Sequence, residues 1–193
     1  MKSVKIFSLT VAAAMALMAL AVSSASATAL YNGSTILGTG AVLDFSIPSG
    51  SSMRLADTVG NTLDTCTTST IKGKLTSAVT ESVEETTWGS CTFPTKTTLP
   101  GKLEYIWAEG TNGVVKVDTE FKVSINTVLF GECVYGDNVG SFIGSIIKSA
   151  ATQLLVNWVV KKLSPSNPPC PETAKWIGTY VSTEPASLRI EKE

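Results

Sequence analysis

The chain contains no histidine. That absence excludes Ser-His-Asp and Cys-His catalysis, and also histidine-liganded zinc or iron. Arginine occurs only at Arg54 and Arg189, and charged residues make up 16% of the chain, which is too sparse for the basic footprint of a nucleic-acid binder. There is no C-x-x-C pair, so four cysteines without histidine do not read as a zinc site, and no cofactor is implied. The G-x-S-x-G elbow, the phosphate-binding glycine loop and the D-x-D-x-D-G calcium loop are all missing. Beyond the first thirty or so residues no apolar run approaches the roughly 20 residues a membrane span needs.

What is present begins with an address. Met1–Lys5 carries two lysines, Ile6–Val22 is apolar apart from Ser8 and Thr10, and Ser23–Ala29 contains Ala25-Ser26-Ala27 and Ala27-Thr28-Ala29. A positive segment, an apolar segment and a small-residue cleavage site, in that order, read as a secretory signal over residues 1–27, cut after Ala27 or Ala29. The rival is an N-terminal anchor, which does not account for the small-residue end. No twin arginine precedes the apolar run. Residues 28–193 then make one domain, long enough to bury a single core. Without Lys2 and Lys5, thirteen basic residues face sixteen acidic ones, a net charge of −3.

All four cysteines, Cys66, Cys91, Cys133 and Cys170, follow the signal. An even count on an exported chain reads as two disulfides. Three pairings are open, and the sequential one, Cys66–Cys91 with Cys133–Cys170, is preferred. Closing either loop is worth roughly 3–4 kcal/mol in the chain-entropy model.

Threonine, serine, valine and glycine dominate residues 28–193, which is strand and turn chemistry. Val115–Ile125 alternates strictly, with Val115, Val117, Thr119, Phe121, Val123 and Ile125 on one face, and predicts one long strand. Thr111-Asn112-Gly113 predicts a hairpin turn after a strand at Lys102–Ala108. Further strands are expected at Thr35–Leu37, Ala41–Ser46, Ile71–Leu75, Leu129–Tyr135, Trp176–Val181 and Leu188–Ile190. Within 141–163 the apolar residues fall in pairs at helical spacing and favour a short helix, against a buried strand at Leu154–Val160. Many short strands with turns between them predict an all-β, disulfide-stabilised β-sandwich of about eight to ten strands.

Few side chains suggest chemistry. Ser69–Lys72 and Ser145–Lys148 match S-x-x-K, but the K-T-G strand of penicillin-recognising enzymes is absent. Glu104, Glu109, Asp118, Glu120 and Glu132 are candidates for a glycosidase-type carboxylate pair, which requires two of them facing one another across a cleft. A solvated sheet face accounts for them more simply. Glu81, Glu84 and Glu85 read as a solvated acidic edge. Asp137-Asn138 is at most a fragment of a calcium site. Trp88, Trp107, Trp158 and Trp176, with Tyr105, Tyr135 and Tyr180, could build a sugar platform, but read better as core.

Phe130-Gly131-Glu132-Cys133-Val134-Tyr135-Gly136, Cys170-Pro171-Glu172-Thr173-Ala174-Lys175-Trp176 running on to Tyr180, and Thr183-Glu184-Pro185-Ala186-Ser187-Leu188 form a recognisable ending. With Leu30-Tyr31-Asn32-Gly33 and Trp88-Gly89-Ser90-Cys91, nearly all of residues 28–193 resembles a family of exported actinobacterial proteins that carries no assigned activity. The resemblance implies an all-β domain with two sequential disulfides. Members are strand-like where Ser141–Leu163 lies, and this chain departs from them at Ile143–Ala151.

The expected protein is secreted, extracellular or attached to the cell surface, and is not an enzyme. It acts through its surface on a cell-wall or extracellular polymer. Two rival readings remain. One is a glycan-binding module or protease inhibitor using loops such as Glu109–Gly113 or Ser164–Pro169. The other is a carboxylate-dependent hydrolase.

Overall fold

The computed structural model describes residues 27–119, 121–137 and 139–193. The expected export signal, apart from Ala27, lies outside the described residues, as do Glu120 and Asn138. The described chain is all strand and turn, without a helix. Its strands are β1 (Thr28–Asn32), β2 (Thr35–Ile36), β3 (Val42–Ser46), β4 (Met53–Asp57) and β5 (Thr62–Leu75). Then come β6 (Thr80–Cys91), β7 (Thr95–Thr98), β8 (Gly101–Glu109), β9 (Asn112–Thr119) and β10 (Phe121–Thr127). The last five are β11 (Gly131–Asp137), β12 (Phe142–Lys148), β13 (Thr152–Leu163), β14 (Thr173–Glu184) and β15 (Leu188–Lys192). Fifteen strands exceed the eight to ten expected. The excess comes from β1, β4, β6, β7 and β12, where no strand was expected, and from the division of one expected strand into β9 and β10.

All the pairings are antiparallel. β5, β6, β8, β9, β12, β13 and β14 follow one another around a ring, and β3 and β4 together fill the place between β14 and β5. The expected sandwich is therefore closed: the sheet curls until its halves face across one core and its margins join. β11, β10 and β7 continue from the far end of β13, where Val134 pairs with Leu163. A separate three-stranded sheet, β15-β1-β2, lies against β8 and β9. It buries Leu30, Leu188 and Ile190.

The helix expected within 141–163 is corrected to β12 and β13. The paired spacing has a different cause: one residue of each apolar pair points inward and the other outward. Ile143, Ile146, Leu154 and Trp158 are buried, while Ile147, Leu155 and Val159 sit on the outer face. Nine residue pairs to β14, with β12 and β11 on the other edge, hold β13 extended. The tertiary ladder overrides local periodicity.

The single strand expected at Val115–Ile125 divides. Val115, Val117, Phe121, Val123 and Ile125 are buried, as the alternation requires. Yet β9 pairs with β8 and β12, whereas β10 pairs with β11 and β7, so the chain turns a corner between them. The β8–β9 turn is at Gly110-Thr111, immediately ahead of the Asn112-Gly113 pair, with Gly110 at φ 57°. Cys66 is joined to Cys91 directly across β5–β6, and Cys133 to Cys170.

Candidate functional site

β3 occupies one end of the space between β14 and β5, pairing with Val181–Glu184 and Thr70–Lys74. β4 occupies the other end, pairing with Ala174–Ile177 and Thr62–Cys66. Between them the chain must leave the wall, and it does so as the Ile47–Ser52 loop. Pro48-Ser49-Gly50-Ser51 forms a turn with Ser51 N donating to Pro48 O at 3.0 Å and Gly50 at φ 80°, the left-handed position that favours glycine. Below the loop Gly178 has no side chain because a Cβ there would lie 1.9 Å from Met53 Sδ.

The loop creates open recesses on both flanks. Toward β5, a recess of about 640 Å3 is lined by Ser49, Ser51, Ser52, Thr65, Thr67 and Thr68, with Ile47 and Gly50. Toward β14, one of about 520 Å3 is lined by the same loop with Arg54, Ile177, Gly178 and Thr179. A third, of about 320 Å3, adjoins the second through Arg54 and Ile177 and adds Asp57, Val159 and Lys175. The second and third run together as a trough along β4, and the first lies across the loop from them, sharing Gly50, Ser51 and Ser52.

Hydroxyls and two cations line this trough. Neither Arg54 nor Lys175 forms an ion pair with a described residue; the pairs include Lys74–Glu84 at 2.9 Å and Arg189–Glu191 at 3.1 Å. Asp57, the one carboxylate in the trough, is spent on its own turn. It accepts Asn61 Nδ2 at 2.7 Å, Asn61 N at 2.8 Å and Val59 N at 3.0 Å. These bonds, the Asn61 side chain foremost, hold its carboxyl below the usual range. The trough therefore carries a local positive balance on a chain of net charge −1.

The carboxylate candidates do not converge. Glu104 lies opposite Lys116, Glu109 opposite Asn112 and Glu132 opposite Asn126, while Asp118 is on β9. None of them lines the trough, and Glu120 lies outside the described residues. Neither S-x-x-K string forms a couple, since residues three apart on a strand point to opposite faces. Ser69 is buried against the Tyr180 hydroxyl at 2.9 Å, while Lys72 is exposed. Lys148 Nζ reaches Thr152 Oγ1 at 3.4 Å. Trp158, Trp176, Tyr105, Tyr135 and Tyr180 are buried core; Trp88 and Trp107 are half-buried. Among the described residues Asp137 joins no cluster of potential metal ligands, and Asn138 is not described.

Two buried carboxylates were not foreseen. Asp64 lies beside the Cys66–Cys91 disulfide and accepts Thr95 Oγ1 at 2.5 Å, Thr65 N at 2.8 Å and Phe93 N at 3.1 Å. The cysteine sulfurs are committed to each other, so Asp64 serves to anchor the turn before β7. Glu81 corrects the reading of an acidic edge. Glu84 and Glu85 are exposed, but Glu81 is wholly buried and accepts the Tyr105 hydroxyl at Oε2, leaving Oε1 without a partner. Burial pushes its carboxyl up to about 7; the Tyr105 bond opposes this and the Asp44 charge adds to it.

Of the trough residues, the sequence placed only Ile177, Gly178 and Thr179 on an expected strand, Trp176–Val181. Arg54 and Lys175 gave no signal, because they meet only through the β4–β14 register. No protein-family model, curated protein or solved structure matches the chain.

Proposed function

We propose that the protein is exported, is not an enzyme, and works at the cell envelope by holding an anionic, hydroxyl-rich extracellular polymer in the trough along β4. The observation that carries this reading is the trough with the recess across the loop from it: serine and threonine hydroxyls line them, and Arg54 and Lys175, which outnumber the single carboxylate of Asp57, have no ion-pair partner among the described residues. Such a surface recognises its ligand by hydrogen bonds and charge rather than by ring stacking, in keeping with the burial of most aromatic rings. The secretory-type N-terminus, the two disulfides suited to an oxidising compartment, and the resemblance to exported actinobacterial proteins agree with it. No helix among the described residues is long and apolar enough to cross a membrane.

The test is a pull-down of the oxidised protein, residues 28–193, on purified cell walls of its source, with salt washes. Retention is expected, and it should fall at least tenfold when Arg54 and Lys175 are both changed to alanine. Protein left in the supernatant refutes the envelope reading, and retention unaffected by the double change refutes the trough.

One observation favours a second reading, a protease inhibitor. The exposed Ser164–Pro169 segment is pinned by Asn167 N donating to Glu132 O at 3.1 Å and Ser166 Oγ to Val134 O at 3.1 Å, beside the Cys133–Cys170 bridge. A rigid exposed loop is what a protease-binding segment requires. Saturable inhibition of a secreted protease would support it. Rapid cleavage of the loop would rule it out.

A further inference from the structure

β6 is paired with β5 along most of its length, but its other edge pairs with β8 only over Thr80–Val83. Beyond Val83 that edge runs beside β7, whose ladder bonds go to β10 instead. β6 and β7 are tied at one end by the turn after Cys91, and at the other by the Val83–Gly101 pairing that opens β8. They enclose an eyelet in the wall. The Trp88 indole spans it, donating its Nε1–H to Thr97 Oγ1 at 2.8 Å and meeting Trp176 edge-on at 4.7 Å between centroids.

Behind Trp88 lies an internal cavity of about 30 Å3, walled by Trp88, Phe121, Leu154, Trp158, Trp176 and Tyr180 among other apolar side chains. That is room for about one water, which would need at least two polar partners. The Tyr180 hydroxyl is engaged with Ser69. Trp158 is 3% exposed, and its indole N–H has no partner among the described residues. A buried donor left unpaired is costly, so Trp158, one of the side chains beside the cavity, holds one unused hydrogen bond.

We propose that the cavity is a ligand pocket gated by Trp88, and that it takes a small neutral aromatic or alicyclic molecule carrying one hydrogen-bond acceptor. Swinging Trp88 outward breaks one side-chain hydrogen bond, one ring contact and the packing of the indole against the core, but no backbone ladder. It adds the space of an indole to the cavity. An internal space of about 150 Å3 admits benzene, and an indole is larger than a benzene ring. The acceptor on the ligand pairs with Trp158 Nε1–H. Charged molecules are excluded, because no charged side chain lines the cavity. The pocket is inside the barrel and independent of the trough.

The experiment uses the oxidised protein, residues 28–193, with acetophenone as probe and α-methylstyrene as control, the same shape with a methylene group in place of the oxygen. Binding is followed by tryptophan fluorescence and by NMR of the indole N–H signals. Saturable binding of acetophenone is expected, about tenfold tighter than α-methylstyrene, the worth of one neutral hydrogen bond. The Trp158 N–H signal should move most. Trp158→Phe should abolish the preference, and Thr97→Val, which releases the latch but keeps the ring, should speed association. The proposal fails if wild-type protein gives no saturable change up to the probe's solubility, or if both probes bind alike. It fails equally if Thr97→Val leaves the association rate unchanged.

Discussion

Changing Glu81 to glutamine isolates one titration in a fold that has few others near neutral pH. The carboxyl is fully buried between β6 and β8, with the Tyr105 hydroxyl on Oε2 and nothing on Oε1. In the fold it loses its proton near pH 7; in the unfolded chain it does so near 4.5. Tyr105, itself pushed well above the ordinary tyrosine range by burial, remains a donor throughout. Because the folded value is raised, the folded state holds the proton more tightly. The stability this confers is complete below pH 4.5 and is lost as pH rises through 7. At about 1.4 kcal/mol per pH unit of separation, the whole loss is about 3 kcal/mol, of which roughly 2.5 falls between pH 5 and 8. For a domain of this size that corresponds to a fall of roughly 5–10 °C in Tm. The assay is guanidinium unfolding at pH 5 and pH 8 with the disulfides intact. Without histidine, the terminal amine is the only other ordinary group titrating there, so the background is close to flat. Wild-type stability should fall with pH, and the Glu81→Gln slope should be nearly level, making the variant the more stable of the two at pH 8. A wild type equally stable at pH 5 and 8, or a variant that keeps the slope, refutes the reasoning.

Three other outcomes follow from the same coordinates. Cys91→Ser, made together with Cys66→Ser, opens a loop whose ends are 25 residues apart and should cost roughly 3–4 kcal/mol; equal melting of the oxidised wild type and the double variant would show that the bridge is dispensable. Gly144→Ala should cost about 3 kcal/mol or more, because its Cβ would lie 2.0 Å from the Leu155 backbone oxygen in the β12–β13 ladder, whereas Gly38→Ala meets nothing within 4 Å and should be close to neutral in the same melt. If the chain is exported as proposed, its intact mass should show Thr28 as the first residue, since a cut after Ala29 would remove a buried side chain and the Thr28 hydroxyl that accepts Trp107 N at 3.1 Å; a chain beginning at Leu30 with unchanged melting would overturn this.

How far the sequence could be read depended on whether a residue's position is decided by its own strand or by a distant one. Alternation is a local property, so Val115 to Ile125 and Ile71 to Leu75 announced their buried faces correctly. The division of the first run into β9 and β10 is non-local: it comes from two different sets of neighbours, which alternation does not record. The 142–159 segment misled for a related reason. A strand with apolar residues on both faces has no period of two, and its doublets imitate a helix. Glu81 was hidden by its company. Glu81, Glu84 and Glu85 look alike in a row, yet Glu81 shares the inward face of β6 with Val83, and a register shift near Gly73 turns the following two glutamates outward. The cost of burying that carboxyl is held down by one residue, Tyr105, 24 positions away. The trough was the least legible feature. Its charge depends on Arg54 and Lys175, which come together across 121 positions only because β4 and β14 pair. A surface assembled by closure of a sheet is therefore not written in any window of the sequence. The eyelet at Trp88 has the same origin: it exists because β7 pairs with β10 in preference to β6, a choice made by a strand 24 to 30 residues downstream.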